Sequence, residues 1–161
     1  MKMFKFNHLL VWFGLVLLSF LTISCGKAPL FDNNIAVKDA VWKADENALF
    51  EVNVTDTTKI YKFYINIRHT EAYRYSNLYV FMNTRFPNGN ITRDTLECLL
   101  AANDGKWLGK GFGELKDNQI LLNSALRFPL KGKYIFELEQ GMRVKELKDI
   151  SDIGIRIERA F

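Results

Sequence analysis

Histidine and cysteine are nearly missing from this chain, with two of each in 161 residues. Zinc and iron centres draw on several such ligands, and nucleophilic triads need a placed imidazole, so both chemistries are left almost without material. His69 ends a strand-like run beside Arg68, no G-x-S-x-G motif occurs anywhere, and the residue is expected at the surface rather than at a reacting centre. Oxygen-rich stretches do occur (FDNN, DTT, NDGK), but none has the D-x-[DN]-x-[DN]-G spacing of a calcium loop, and each reads as a turn. No catalytic residue, metal ligand or cofactor contact is predicted. Long hydrophobic runs are scarce as well. The single one, from Leu9 to Leu21, is thirteen residues long, short of the roughly 20 that a spanning helix needs.

That run has the layout of a signal peptide. Lys2 and Lys5 form a positive head, the apolar stretch follows, and Thr22, Ile23 and Ser24 lead directly to Cys25. Small Ser24 immediately before a cysteine resembles the lipobox of bacterial lipoproteins, with Thr22 where leucine is common. Cys25 is therefore expected to carry a diacylglycerol and, after cleavage, an acyl chain such as palmitate on its new amine. Each buried methylene contributes about 0.8 kcal/mol, so several chains anchor a domain where one would hold it only marginally.

The chain thus divides into a signal helix at 1–24, a lipidated tether at 25–36 broken by Pro29, Asp32, Asn33 and Asn34, and one domain at 37–161. Losing Lys2 and Lys5 lowers the formal charge from +4 to +2. So weak a surplus gives no reason to expect a nucleic acid partner. Cys98, left without a mate, is expected to be a buried small hydrophobe.

Within the domain the dominant period is two. Tyr61, Phe63, Ile65 and Ile67 alternate with Lys62, Tyr64, Asn66 and Arg68, and Phe50, Val52 and Val54 alternate with Glu51 and Asn53. NLYVFMNTRF is apolar on both faces as far as Asn83, as in a strand inside a sheet, and the FPNGN after it is turn chemistry. Further strands are predicted at 92–100, 119–128, 133–139 and 153–158. Only EQGMRVKELKDI breaks the rhythm, with Met142, Leu147 and Ile150 spaced for one or two helical turns. The predicted fold is all-β, an antiparallel β-sandwich of jelly-roll or immunoglobulin-like type with at most one short helix besides the signal helix.

Two features invite a binding reading. GKWLGKGFGEL resembles a phosphate loop in its glycines, but Lys110 is followed by Gly111 rather than Ser or Thr and strand-like sequence follows. Alternate glycines between strands are better read as places where two backbones approach. Tyr73, Tyr75 and Trp107 make a candidate stacking platform for a sugar ring, and the same rings serve equally well as core. Glu97 with Glu137 or Glu139 is the carboxylate pair a glycosidase would need, which requires a cleft between them.

Taken in order, Cys25, Trp42, VTDT, YINIRHTEAYRYSNLYVFM, RDTLECLLA, DGKWLGKGFGEL, GKYIFELEQGMR and ISDIGIRIE resemble the gliding-motility lipoprotein H family (GldH) of Bacteroidetes. The most specific pieces are Y-S-N-L-Y at 75–79, D-T-L at 94–96, W-L-G-x-G at 107–111 and E-Q-x-M-R at 139–143. The resemblance implies an accessory lipoprotein of the gliding and type IX secretion-linked envelope machinery. It brings no catalytic residues, and implies work through contacts with other envelope proteins, for which Tyr73, Tyr75, Trp107 and Arg143 are candidates. The alternative reading is a carbohydrate-binding sandwich using Tyr73, Tyr75 and Trp107. In this context DTT at 56–58 and DTL at 94–96 look like acceptor tripeptides for O-glycosylation on Thr57 and Thr95. Gly26 after the anchor, and the lack of an acidic cluster there, place the expected site at the outer membrane facing the periplasm.

Overall fold

In the computed structural model of the chain, residues 28–161 are described; the signal segment, Cys25 and Gly26 lie outside them. Ten strands make up the domain: β1 (Phe31–Ala36), β2 (Val41–Lys43), β3 (Ala48–Val54), β4 (Tyr61–Thr70), β5 (Asn77–Arg85), β6 (Ile91–Leu99), β7 (Leu115–Leu126), β8 (Gly132–Gln140), β9 (Glu146–Lys148) and β10 (Ile150–Arg159). They form two four-stranded antiparallel sheets, ordered β1-β10-β4-β7 and β3-β8-β5-β6, with β2 and β9 as a separate ribbon. The fold is the all-β one that the period of two demands.

Alternation decides which side chains meet between the sheets. Phe50, Val52 and Val54 of β3, Tyr61, Phe63, Ile65 and Ile67 of β4, and Ile153, Ile155 and Ile157 of β10 are all buried. Each such side chain contributes roughly 1.5–3 kcal/mol relative to leaving it exposed. Phe63 meets Phe136 across the interior with centroids 5.1 Å apart, and Phe128 lies against Tyr61 at 5.4 Å and Tyr134 at 4.9 Å. As expected, Cys98 is unpaired and fully buried opposite Leu78. Strand β5 lies inside its sheet, between β8 and β6, and Gly89 takes a positive φ in the turn that follows it.

Two segments differ from expectation. Residues 31–36, read as the outer half of a tether, form β1, paired residue for residue with β10 from Phe31 opposite Ile157 to Ala36 opposite Asp152. Asp-Asn-Asn has poor strand propensity, so the pairing is secured from outside the segment. Asp32 forms an ion pair with Arg156, and Asn34 accepts a hydrogen bond from the Asn66 amide at 3.0 Å. The short helix expected between 139 and 150 is absent. β8 continues to Gln140, a loop follows, and β9 pairs with β2 so that Leu147 lies opposite Trp42, both buried. Cross-strand burial of this pair outweighs a weak helical spacing interrupted by Gly141.

The register gives the sandwich two distinct ends. At one end the chain enters β1, and the 55–60, 86–90 and 127–131 connections cluster beside Arg159, whose strand partner is Tyr61. At the other end lie 37–47, 71–76, 100–114 and 141–149.

Candidate functional site

Three of the four motif pieces converge at the end opposite the one where the chain enters β1. Gln140, only 5% exposed, clamps the loop after β8: its side-chain amide donates to the Val144 carbonyl at 2.6 Å, and its oxygen accepts the Met142 N–H at 2.9 Å. The Gly141 N–H donates to the Tyr79 carbonyl at 2.7 Å, and a β-carbon at Gly141 would stand 3.1 Å from that oxygen and 3.3 Å from the Phe81 ring. Met142 brings its sulfur 3.4 Å from the Tyr79 N–H. Anchored in this way, the loop presents exposed Arg143 at a shallow hollow of about 480 Å³ that it shares with Tyr75, Tyr79, Met142 and Val144. Tyr75 also borders a smaller hollow of about 170 Å³ with Arg74, Val144 and Glu146. Tyr75 and Tyr79 keep 37% and 38% of their surface, the exposed apolar and hydrogen-bonding mix from which contact surfaces are made.

Tyr75 and Arg143 are thus brought together, but Tyr73 and Trp107 belong to the interior. Tyr73 is 4% exposed, donates its hydroxyl to the Asn77 carbonyl at 3.1 Å, and meets Tyr75 edge-on at 67°. Burial holds its phenol well above the usual tyrosine range. Trp107, half-buried, packs edge to face against His69. These rings share no common open face, which corrects the expectation of a Tyr73–Tyr75–Trp107 sugar platform. His69 itself, expected at the surface, is fully buried. Its Nδ1 lies 2.8 Å from the Thr70 carbonyl, which assigns the proton to that nitrogen and leaves Nε2 without a partner among the described residues. Burial pushes the imidazole below its ordinary pKa, and the charge of Lys116 adds to the effect.

The glycine-rich segment is structural. A β-carbon at Gly111 would fall 2.1 Å from the Leu115 carbonyl oxygen, and one at Gly109 would meet the Asn118 amide at 2.8 Å. The first is the close backbone approach that alternate glycines permit, and the second lets the Asn118 side chain lie on bare backbone. Lys110 and Asp117 exchange both backbone hydrogen bonds beside them. Phe112, between two glycines, is fully exposed at the loop tip.

The carboxylates are engaged by their own sheet neighbours on the outer face of β5, β6 and β8. Arg93 reaches both oxygens of Glu139, at 3.1 and 2.8 Å, while its guanidinium lies 4.5 Å from the Phe81 ring centroid. Glu139 also accepts from Asn83 at 2.6 Å, and these donors hold its carboxyl below the usual range, Arg93 foremost. Glu137 accepts from Asn47 at 2.6 Å and Glu97 from Asn77 at 2.7 Å. Among the described residues, no three His, Cys, Asp or Glu side chains are grouped to hold a metal, and no helix is long and apolar enough to cross a membrane. Thr95 is exposed on β6 opposite Phe81, and Thr57 sits half-buried in the 55–60 turn, where Asp56 accepts from both the N–H and the hydroxyl of Thr58. A separate crevice of about 510 Å³ opens where β6 and β7 leave the sandwich unclosed, lined by Phe63, Met82, Leu96, Leu122 and Phe136.

Residues 29–157 match the family model described as GldH lipoprotein. The chain is 36% identical over 144 residues to a gliding motility lipoprotein GldH homolog of Christiangramia forsetii, covering 85% of this chain and 88% of that one. It is 34% identical over 152 residues to the gliding motility lipoprotein GldH of Flavobacterium johnsoniae, covering 90% and 94%. No solved structure matches.

Proposed function

Because the chain belongs to the GldH lipoprotein family, we propose that it is a lipid-anchored accessory protein of the gliding-motility and type IX secretion-linked envelope machinery, working through protein contacts rather than catalysis. Acylated Cys25 is the anchor; Gly26 after it is compatible with delivery to the outer membrane, and the lack of an acidic cluster there favours the periplasmic face. The observation that carries the contact reading is the hollow at Tyr75, Tyr79, Met142 and Arg143. It combines exposed aromatic rings, a flexible thioether and a guanidinium, types enriched where proteins meet. It also sits at the end of the sandwich opposite the point where the chain enters β1, facing away from the anchor.

The test is complementation in the source bacterium. A strain lacking the gene receives the wild-type chain, Cys25→Ala, or the double variant Tyr75→Ala/Arg143→Glu, with protein levels compared by immunoblot. Gliding, or secretion where the cells do not glide, is expected to return only with the wild type. Photocrosslinking from position 79 should capture a defined envelope protein that the double variant loses. Full activity of a stably expressed double variant overturns the contact role of the hollow. Full activity of Cys25→Ala overturns the anchor.

A further inference from the structure

The two ends of the sandwich carry different charge. At the end where the chain enters β1, six basic residues, Lys59, Arg85, Arg127, Lys131, Lys133 and Arg159, are all exposed, and Asp56 is the only carboxylate in the connections there. Lys133 is partly offset by Glu51, 3.3 Å away on β3, while the other five form no salt bridge among the described residues. At the opposite end, basic and acidic residues balance over 37–47, 71–76, 100–114 and 141–149. The strands between the ends carry an acidic surplus, so the positive charge is confined to one pole.

That pole is also where the tether arrives. β1 runs antiparallel to β10, so the backbone before Phe31 comes from the Arg159 side. Because β1 takes up residues 31–36, only 26–30 remain between Cys25 and the sheet. Fully extended, that stretch covers about 20 Å. We propose that this basic pole docks on anionic phospholipid headgroups, so that the domain is held on the bilayer in one orientation rather than swinging from its anchor. The inference rests on the reading of Cys25 as the lipid attachment point.

The physical ground is charge complementarity at short range. Electrostatic attraction to an anionic leaflet fades within a Debye length, about 8–10 Å at ordinary ionic strength, and the short leash keeps the pole within reach of that layer. Each basic residue brought to such a surface favours the docked state by about fivefold. Three together therefore shift it on the order of a hundredfold, whereas the balanced end gains nothing from the same surface.

The experiment uses the full chain purified from its own envelope and mixed into vesicles of phosphatidylcholine alone or of phosphatidylcholine with phosphatidylglycerol at about 7:3, a composition that supplies the negative potential. Intact mass reports whether Cys25 is acylated, flotation reports attachment, and amide hydrogen exchange reports docking. Exchange in 55–60 and 127–131 is expected to slow about fivefold or more on the anionic vesicles relative to the neutral ones. High salt and the variant Lys59→Glu/Arg127→Glu/Lys131→Glu should abolish the difference, while Lys38→Glu/Lys145→Glu/Lys148→Glu, with the same change in net charge, should keep it. An unchanged melting temperature is the check on folding. Equal exchange on the two vesicle types overturns the proposal whether or not the protein floats. An unacylated chain that floats only with anionic vesicles sustains the docking surface and overturns the anchor instead.

Discussion

The imidazole of His69 meets the indole of Trp107 edge to face, with ring centroids 4.5 Å apart, in an enclosure where the histidine Nε2 reaches no hydrogen-bond partner among the described residues. The folded protein therefore holds this ring neutral, with a pKa below the ordinary 6.5, chiefly because burial disfavours its charged form. The unfolded chain takes up the proton first as pH falls. The His69 contribution to stability is level above about pH 6.5 and declines as pH drops through that value, until the lowered folded pKa is reached. Urea unfolding at intervals from pH 7.5 to 5 should show this slope, and His69→Phe should flatten it over the same range.

Arg93 and Glu139 form a two-pronged pair at the surface, with side chains 48% and 22% exposed. Solvent screens such a pair, so Arg93→Ala is expected to destabilise the fold only slightly, through the lost ion pair and the lost contact with the Phe81 face. Glu139 has a lowered pKa, so its contribution is present above the ordinary carboxylate value and is lost as pH falls through the depressed one. In denaturant melts the gap between wild type and Glu139→Gln should be wider at pH 7 than at pH 3, and the Arg93→Ala gap should narrow without closing, because the contact with the Phe81 face does not titrate.

Gly111→Ala places a methyl group against the Leu115 carbonyl oxygen, a backbone atom that cannot swing aside. Overpacking of this kind costs roughly 1–3 kcal/mol. Thermal unfolding should register the loss, and exchange protection at Lys110 and Asp117, whose paired hydrogen bonds flank the contact, should fall with it.

Cys98 is sealed in the core, and burial raises its thiol pKa to about 12. Iodoacetamide at pH 8 should leave it unlabelled in the native protein and modify it fully in urea, as read from the mass of the peptide spanning 94–106. Rapid native labelling would mean that β6 opens readily.

The sheets were legible because burial on one face imposes a period of two, and Phe50 to Val54 and Tyr61 to Ile67 carry it without interruption. β1 was not legible: Asp32, Asn33 and Asn34 look like turn residues, and the partners that make them a strand, Arg156 and Asn66, lie far along the chain. β9 was hidden for a related reason, since Leu147 finds Trp42 only once the ribbon has formed. At the candidate site the sequence identified Tyr75 and Arg143, and named Gln140 only as part of E-Q-x-M-R, without the two local hydrogen bonds by which it holds the loop in shape. A lone glutamine after an alternating run gives no sign of that role. His69 was misplaced because one of the two rings that enclose it, Trp107, comes from a loop far along the chain.

The separation of the two ends also fixes a distance. β10 runs ten residues from one end to the other, and at about 3.3 Å per residue its length is close to 30 Å. In the proposed docked orientation, Tyr75 and Arg143 would stand that far above the lipid surface. A protein lying flush with the membrane would then be too low to reach them, and a partner for this crown would have to project well into the aqueous compartment.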